Sequence, residues 1–343
     1  MAERLAGAFR DGRRRAGDAP PALLHRTVPA GRRRGAAAGP GDGGRADAAA
    51  ARGLRGRRVR DLAGRLDLCS INTATLGYQT RIGETVDAVA RAGFGAICPW
   101  RREMEGEDVA AVARRIRDAG LAVSGYCRST YLPSADRATL DAAVADNRRA
   151  VDQAAALGAA CFVMVVGSLP KGSRDLPAAW ADVEEGTARL LEHAQDAGVR
   201  LALEPLHPMY AGDRSCLNTL EQALDLCARI EPEPAGAPWL GTAVDVYHVW
   251  WDPKLDAQVD CAGRTGRLFA FHVCDWLVPT RDLLLDRGMM GDGVIDLKRI
   301  RGMVEAAGYG GPVEVEVFSA EDWWRRPIPE ILAACAERLE AVC

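Results

Sequence analysis

From about residue 66 the chain alternates short apolar runs with longer stretches in which apolar side chains recur every three to four positions, the period of a helix with one buried face. The apolar runs fall at 66–71, 95–99, 122–127, 160–167, 199–206, 240–246, 268–274 and 312–318. They are nearly continuous, as strands covered on both faces must be. Helical stretches fit between them at 82–92, 108–119, 139–157 and 176–197, running out on Gly93, Gly120, Gly158 and Gly198. Glycine best tolerates the left-handed backbone at a helix end. Further helices are expected near 218–230, 255–263, 297–307 and 328–342. Eight strand–helix pairs predict an α/β fold, a (β/α)8 TIM barrel occupying residues 61–343 as one domain.

Residues 1–60 follow another rule. They hold fifteen arginines against five acidic residues, a balance of +10, which leaves −13 for residues 61–343 out of the net −3. Their Arg/Ala/Gly/Pro order carries no apolar period and too little apolar bulk to offset chain entropy, so a disordered segment is expected. A basic tail can bind nucleic acid or acidic membranes. The competing explanation is translated upstream sequence of a GC-rich genome, since only three lysines accompany 41 arginines; on it the native chain begins near Val59 or Leu62. No run approaches the roughly 20 apolar residues of a membrane helix, and no secretory h-region follows the basic start, so a cytoplasmic protein is expected. The ten cysteines form no CxxC pair, which argues against a disulfide framework or a zinc–thiolate site.

In such barrels catalytic groups sit where strands run out at the C-terminal face. Strand five ends at Glu204, strand six at Asp245, strand seven holds His272 and strand eight holds Glu316. Singly, each has a structural alternative: a strand histidine is usually a satisfied core residue, and a buried glutamate can merely close a hydrogen-bond network. Four at equivalent depth on adjacent strands make coincidence the weaker account. Carboxylates with one imidazole suit one divalent ion, Mn favoured, with Mg, Co or Zn as alternatives. Glu314, one layer deeper than Glu316, reads as a supporting polar group.

The runs Glu204-Pro205-Leu206-His207-Pro208, Asp245-Val246-Tyr247-His248, His272-Val273-Cys274-Asp275 and Gly308-Tyr309-Gly310-Gly311-Pro312 before Glu316 resemble the xylose isomerase-like barrels of the sugar phosphate isomerase/epimerase family. The resemblance runs from about residue 68 to the C-terminus. It implies that Glu204, Asp245, His272 and Glu316 ligate the metal, that Glu204 and Glu316 also move protons, and that His248 holds a substrate oxygen. Endonuclease IV shares this fold, but its trinuclear zinc site needs histidines on early strands, where this chain has Pro99-Trp100-Arg101 and Tyr126-Cys127-Arg128. A body of −13 also suits a phosphate backbone poorly.

The expected activity is therefore metal-dependent isomerisation or epimerisation of a keto or aldehydo sugar through an enediolate, with a small-molecule sugar as partner, no nucleic acid and no membrane. Elimination is the runner-up: a lyase or dehydratase on a keto sugar or inosose, including cleavage of 3-keto C-glycosides. A metal- or sugar-binding barrel without catalysis is the third reading, and the resemblance leaves room for a homo-oligomer. Further substrate contacts are expected from His207, Asn72, Trp100, Arg101 and Trp276, with Arg281 or Arg287 of the long segment after strand seven as an anion ligand.

Overall fold

The computed structural model describes residues 59–343, so the tail expected over 1–60 lies outside the described residues except for Val59 and Arg60. Arg60 is tied into the body, its backbone N–H and Nε donating to Glu305 at 2.6 and 3.0 Å.

Nine short strands form one parallel sheet: β1 (Cys69–Asn72), β2 (Ala96–Cys98), β3 (Ala122–Val123), β4 (Tyr126–Cys127), β5 (Cys161–Met164), β6 (Arg200–Leu203), β7 (Leu240–Asp245), β8 (Leu268–Val273) and β11 (Val313–Val315). Their order, β3-β2-β1-β11-β8-β7-β6-β5-β4, begins and ends on halves of the same segment. That segment bonds on both sides, Ala122 N to Gly95 O at 2.9 Å and Ala160 N to Val123 O at 3.0 Å. The sheet thus closes into the expected eight-position barrel. The interruption at Ser124-Gly125 leaves no mark in the apolar pattern; it frees the Ser124 hydroxyl to reach Glu314 Oε2 at 2.6 Å inside the barrel.

Strand one also starts later than its apolar run. Residues Leu66–Leu68 form a 3-10 turn, because Leu66 O accepts from Gly95 N at 2.9 Å and a Cβ at Gly95 would lie 2.1 Å from Asp67 O. Only glycine permits that approach.

Outside the sheet lie α1 (Ile82–Arg91), α2 (Val109–Asp118), α3 (Arg137–Leu157), α4 (Leu176–Ala197), α5 (Leu220–Ile230), α7 (Leu255–Arg264), α8 (Leu297–Ala306) and α9 (Ile328–Val342), with the one-turn α6 (Val246–Val249) directly after β7. Starts are set by side-chain caps. Asp136 accepts from Thr139 N, so α3 begins two residues before its apolar pattern does. Gly158 and Gly198 end α3 and α4 at φ 72° and 71°, as the sequence implies. The main core fills the space between sheet and helices, with Val144, Val151, Val183 and Leu190 facing Phe162 and Leu201. Among the described residues no helix is long and apolar enough to cross a membrane.

The barrel interior is a second, smaller cluster of Cys98, Cys127, Cys161, Val163, Ala202, Ala243, Phe269 and Ala270. All but Phe269 are small, so polar side chains in the layer above have room to converge. At the opposite end, Arg267 donates to Glu231 Oε2 at 2.9 Å and to carbonyls of Leu240 and Glu231, while Glu231 also accepts from Trp239 and Leu240 N–H. Removing one member of a buried pair strands the other. An Arg267→Ala variant should lose about 3–5 kcal/mol of stability, read from guanidinium unfolding.

Candidate active site

Side chains alternate along a strand, so a residue two positions after a barrel-interior one also points inward. Ala202, Ala243 and Ala270 are followed at that spacing by Glu204, Asp245 and His272, and Glu314 by Glu316. Register places Asp245 and Glu314 beside His272 on either side. Backbone bonds hold the two glutamates just beyond their strands, Glu204 N to Met164 O at 2.9 Å and Glu316 N to Val273 O at 3.0 Å.

The four side chains expected to meet do so. One ligand atom from each of Glu204, Asp245, His272 and Glu316 lies within 4.8 Å of all the others, and all four residues are buried. That span suits a central ion with bonds of about 2 Å. His272 Nδ1 stands 3.0 Å from Glu204 Oε1. Three carboxylates and an imidazole form an oxygen-rich set with one nitrogen, so the chemistry of the donors fits a divalent cation.

One cation of the protein also enters the cluster. Arg287 Nη1 donates to Asp245 Oδ2 at 2.9 Å and to Glu316 Oε2 at 3.0 Å, and its guanidinium lies 4.4 Å from the Tyr247 ring centre and 4.8 Å from that of Phe318. It arrives on a hairpin in which β10 (Arg287–Gly288) pairs antiparallel with β9 (Asp275–Trp276), while Arg287 N bonds Phe318 O at 2.9 Å. The sequence left Arg281 and Arg287 open as anion ligands. Arg281 instead folds onto Asp286, with its N–H and Nε donating at 2.8 and 3.0 Å, and none of these bonds reaches the cluster.

Burial and charge act in opposition here. Burial pushes Glu316 up, to about 8, with Glu204 adding to the rise and Arg287 opposing it. Burial would also raise Asp245, but Arg287, His248 and His272 outweigh it and hold its carboxyl below the ordinary value. Burial lowers His248 to about 3, so it is neutral at physiological pH. For His272 burial is overcome by the facing Glu314, Glu204 and Glu316, which keep it well above the usual imidazole value.

The other expected contacts divide. His248 joins the cluster, with Nε2 3.5 Å from Asp245 Oδ2 and 3.3 Å from Arg287 Nη2, while its Nδ1 accepts from His207 N at 3.2 Å. Trp276 and His207 form a wall, ring centres 4.9 Å apart, and Trp276 also stacks on Tyr247 at 4.6 Å. The Asn72 side chain has protein partners on both its polar atoms. Its Nδ2 donates to Glu314 Oε1 and Glu316 Oε1 at 3.0 and 2.9 Å, and its Oδ1 accepts from Trp100 Nε1 at 2.6 Å and Ala74 N at 3.2 Å. Trp100 thereby holds Asn72 while its ring edge meets Phe318. Arg101 is engaged by Asp146 at 2.8 Å and Thr130 at 3.1 Å.

A parallel α/β barrel whose last four strands bring a buried carboxylate–imidazole cluster to their C-terminal ends defines the class of fold and site. The chain belongs to the xylose isomerase-like TIM barrel family, whose model matches residues 86–335. It is 50% identical to protein SMc04130 from Sinorhizobium meliloti, a solved structure matched with a TM-score of 0.78 over 81% of this chain and 99% of that one. It is 29% identical over 224 residues to a ketose 3-epimerase of Arthrobacter globiformis, covering 62% of this chain and 69% of the relative. It is 28% identical over 255 residues to a 3-dehydroshikimate dehydratase of Pseudomonas aeruginosa, covering 72% of this chain but 37% of that protein.

Behind Trp100, Glu103 accepts from Trp100 N at 3.2 Å and from the Thr73 hydroxyl, a support with no signal in the sequence pattern. Burial pushes it from 4.5 up to about 7. A carboxyl raised in the folded state binds its proton more tightly there than in the unfolded chain, so stability falls as pH climbs from about 4.5 to about 7. A Glu103→Gln variant should lack that component, up to about 3 kcal/mol, when unfolding midpoints are compared with wild type across the window.

Proposed function

We propose that this protein is a divalent-metal-dependent epimerase or isomerase of a keto sugar, working through an enediolate. The observation that carries the reading is the pair Glu204 and Glu316, drawn from strands separated by β7 and β8 and converging on one buried cluster with Asp245 and His272. A binder needs no acid and base on opposite sides of its ligand. The similarity to a ketose 3-epimerase supports the same choice.

A proton next to a carbonyl is too weakly acidic for an ordinary carboxylate to remove unaided. A divalent ion held by Glu204, Asp245, His272 and Glu316, with Mn the favoured occupant, supplies Lewis acidity that spreads the developing charge. The protein's own residues do the rest. One glutamate takes the α-proton on one face of the sugar and the other returns a proton to the opposite face, inverting the carbon. Arg287 and His248 bind substrate oxygens, the first as a fixed cation and the second as a neutral imidazole. The Trp276–Tyr247–His207 wall packs against sugar C–H groups, and Tyr210 and Tyr247 hydroxyls anchor the loop above it by donating to Leu283 O, the latter at 2.9 Å. A dry, closed site strengthens each of these contacts.

Elimination is the second reading, favoured by the similarity to a dehydratase. The same enediolate loses a β-substituent instead of regaining a proton. Incubation in deuterated water with ketoses, inososes and 3-keto glycosides separates the two. Epimerisation leaves deuterium on the α-carbon of a product isomeric with the substrate, whereas elimination yields an unsaturated product. Chelator treatment should abolish turnover and Mn restore it, and Glu316→Gln should lower kcat by roughly 10²–10⁴. Exchange at the wild-type rate in that variant would remove Glu316 from the mechanism.

A further inference from the structure

Glu314 lies outside the four-residue cluster and directly beneath it, two residues before Glu316 and register-paired with His272. We propose that Glu314 is the positioning residue that makes His272 a metal ligand, by holding the imidazole proton on Nε2 and leaving the Nδ1 lone pair for the ion. The inference rests on the metal-dependent reading above and adds a determinant of affinity that the ligand set alone does not contain.

The two ring nitrogens face different carboxylates. Nδ1 is 3.0 Å from Glu204 Oε1, which belongs to the cluster. Nε2 is 3.5 Å from Glu314 Oε1, which does not. Nε2 is fully buried and has no hydrogen-bond partner, so its nearest acceptor is that carboxyl at ion-pair distance. A neutral imidazole carries one N–H, and the nitrogen that ligates a cation must be the other one. With Nδ1 turned to the metal position, the proton belongs on Nε2, facing Glu314. Metal-ligating histidines generally donate their second ring N–H to such a partner, which fixes both tautomer and ring plane.

Glu314 is itself held for that role. Its Oε2 accepts from Ser124 Oγ at 2.6 Å, and Ser124 is paired in turn with Ser70 Oγ at 2.7 Å. Its Oε1 accepts from Asn72 Nδ2 at 3.0 Å. The Asn72 amide cannot flip without loss, because Oδ1 receives Trp100 Nε1 and Ala74 N, so its two N–H bonds are committed to Glu314 and Glu316. Ser124 and Asn72 each offer Glu314 a proton donor, and His272 Nε2 stands at ion-pair distance from the oxygen that Asn72 also reaches. Glutamine has the same shape, with its one oxygen able to accept from Asn72 Nδ2 and its amide N–H able to donate to Ser124 Oγ, so a glutamate that merely filled the barrel would be replaced with little consequence for metal affinity.

The test is Mn(II) affinity of the metal-stripped full chain, measured as free Mn(II) by electron paramagnetic resonance during titration at pH 7.5. Glu314→Gln should bind Mn about 10–100-fold more weakly than wild type, while its circular dichroism shows that it is folded. Glu314→Asp, which keeps the charge but retracts it, should recover part of the loss. Affinity within twofold of wild type in a folded Gln variant overturns the proposal. If the Gln variant does not fold, Glu314→Asp is read in its place, and unchanged affinity there overturns it equally. Wild-type protein that binds no Mn at millimolar concentration overturns the metal-dependent reading itself, a failure distinct from that of Glu314.

Discussion

Carboxyl groups repel one another in a dry space, and the mouth of this barrel holds four of them, Glu204, Asp245, Glu314 and Glu316, each at 6% exposure or less. Facing them are one guanidinium, Arg287, and two imidazoles, of which His248 is neutral. Most of the local architecture serves to keep that arrangement from collapsing. Amide and hydroxyl donors from Asn72 and Ser124 point at Glu314 and Glu316, and Arg287 bridges Asp245 and Glu316. Charge without full balance is costly inside a protein, and it is also what gives such a site affinity for a divalent cation.

The fold provides the space for this. Below the polar layer the barrel is filled mostly with alanines and cysteines, with Val163 and Phe269, so the side chains two positions further along these strands converge. Closure occurs at the broken third strand, whose released Ser124 supports the same polar layer. The hairpin after β8 bends back over the face and delivers Arg287, while Tyr210 and Tyr247 hold the loop between its arms. Barrel, polar layer and loop are thus a single mechanical unit around the cluster.

Much of this was legible in the sequence, for a definable reason. Apolar runs bounded by glycine-ended helices report burial directly, and strand-end position is a property of sequence alone, so the strands and the convergence of Glu204, Asp245, His272 and Glu316 could be anticipated. What the sequence could not show was partner choice across the fold. Asn72 and Arg101 look like substrate ligands because they sit at strand ends, yet their side chains are consumed by Glu314, Glu316, Trp100 and Asp146. Arg281 and Arg287 are six residues apart in one loop, and only the hairpin register decides which reaches the site. A closer signal for Glu314 was present: an acidic residue at the same strand parity as a ligand must also point into the barrel.

The central claim is that the four converging side chains form one metal centre in place. Manganese soaked into crystals of the stripped protein, located by anomalous scattering, tests it most directly. The account predicts a single strong peak bonded to Glu204, Asp245, His272 Nδ1 and Glu316, with Arg287 displaced from between Asp245 and Glu316 or shifted toward substrate oxygens. No peak there, with Arg287 still bridging the two carboxyls at full metal concentration, would contradict it.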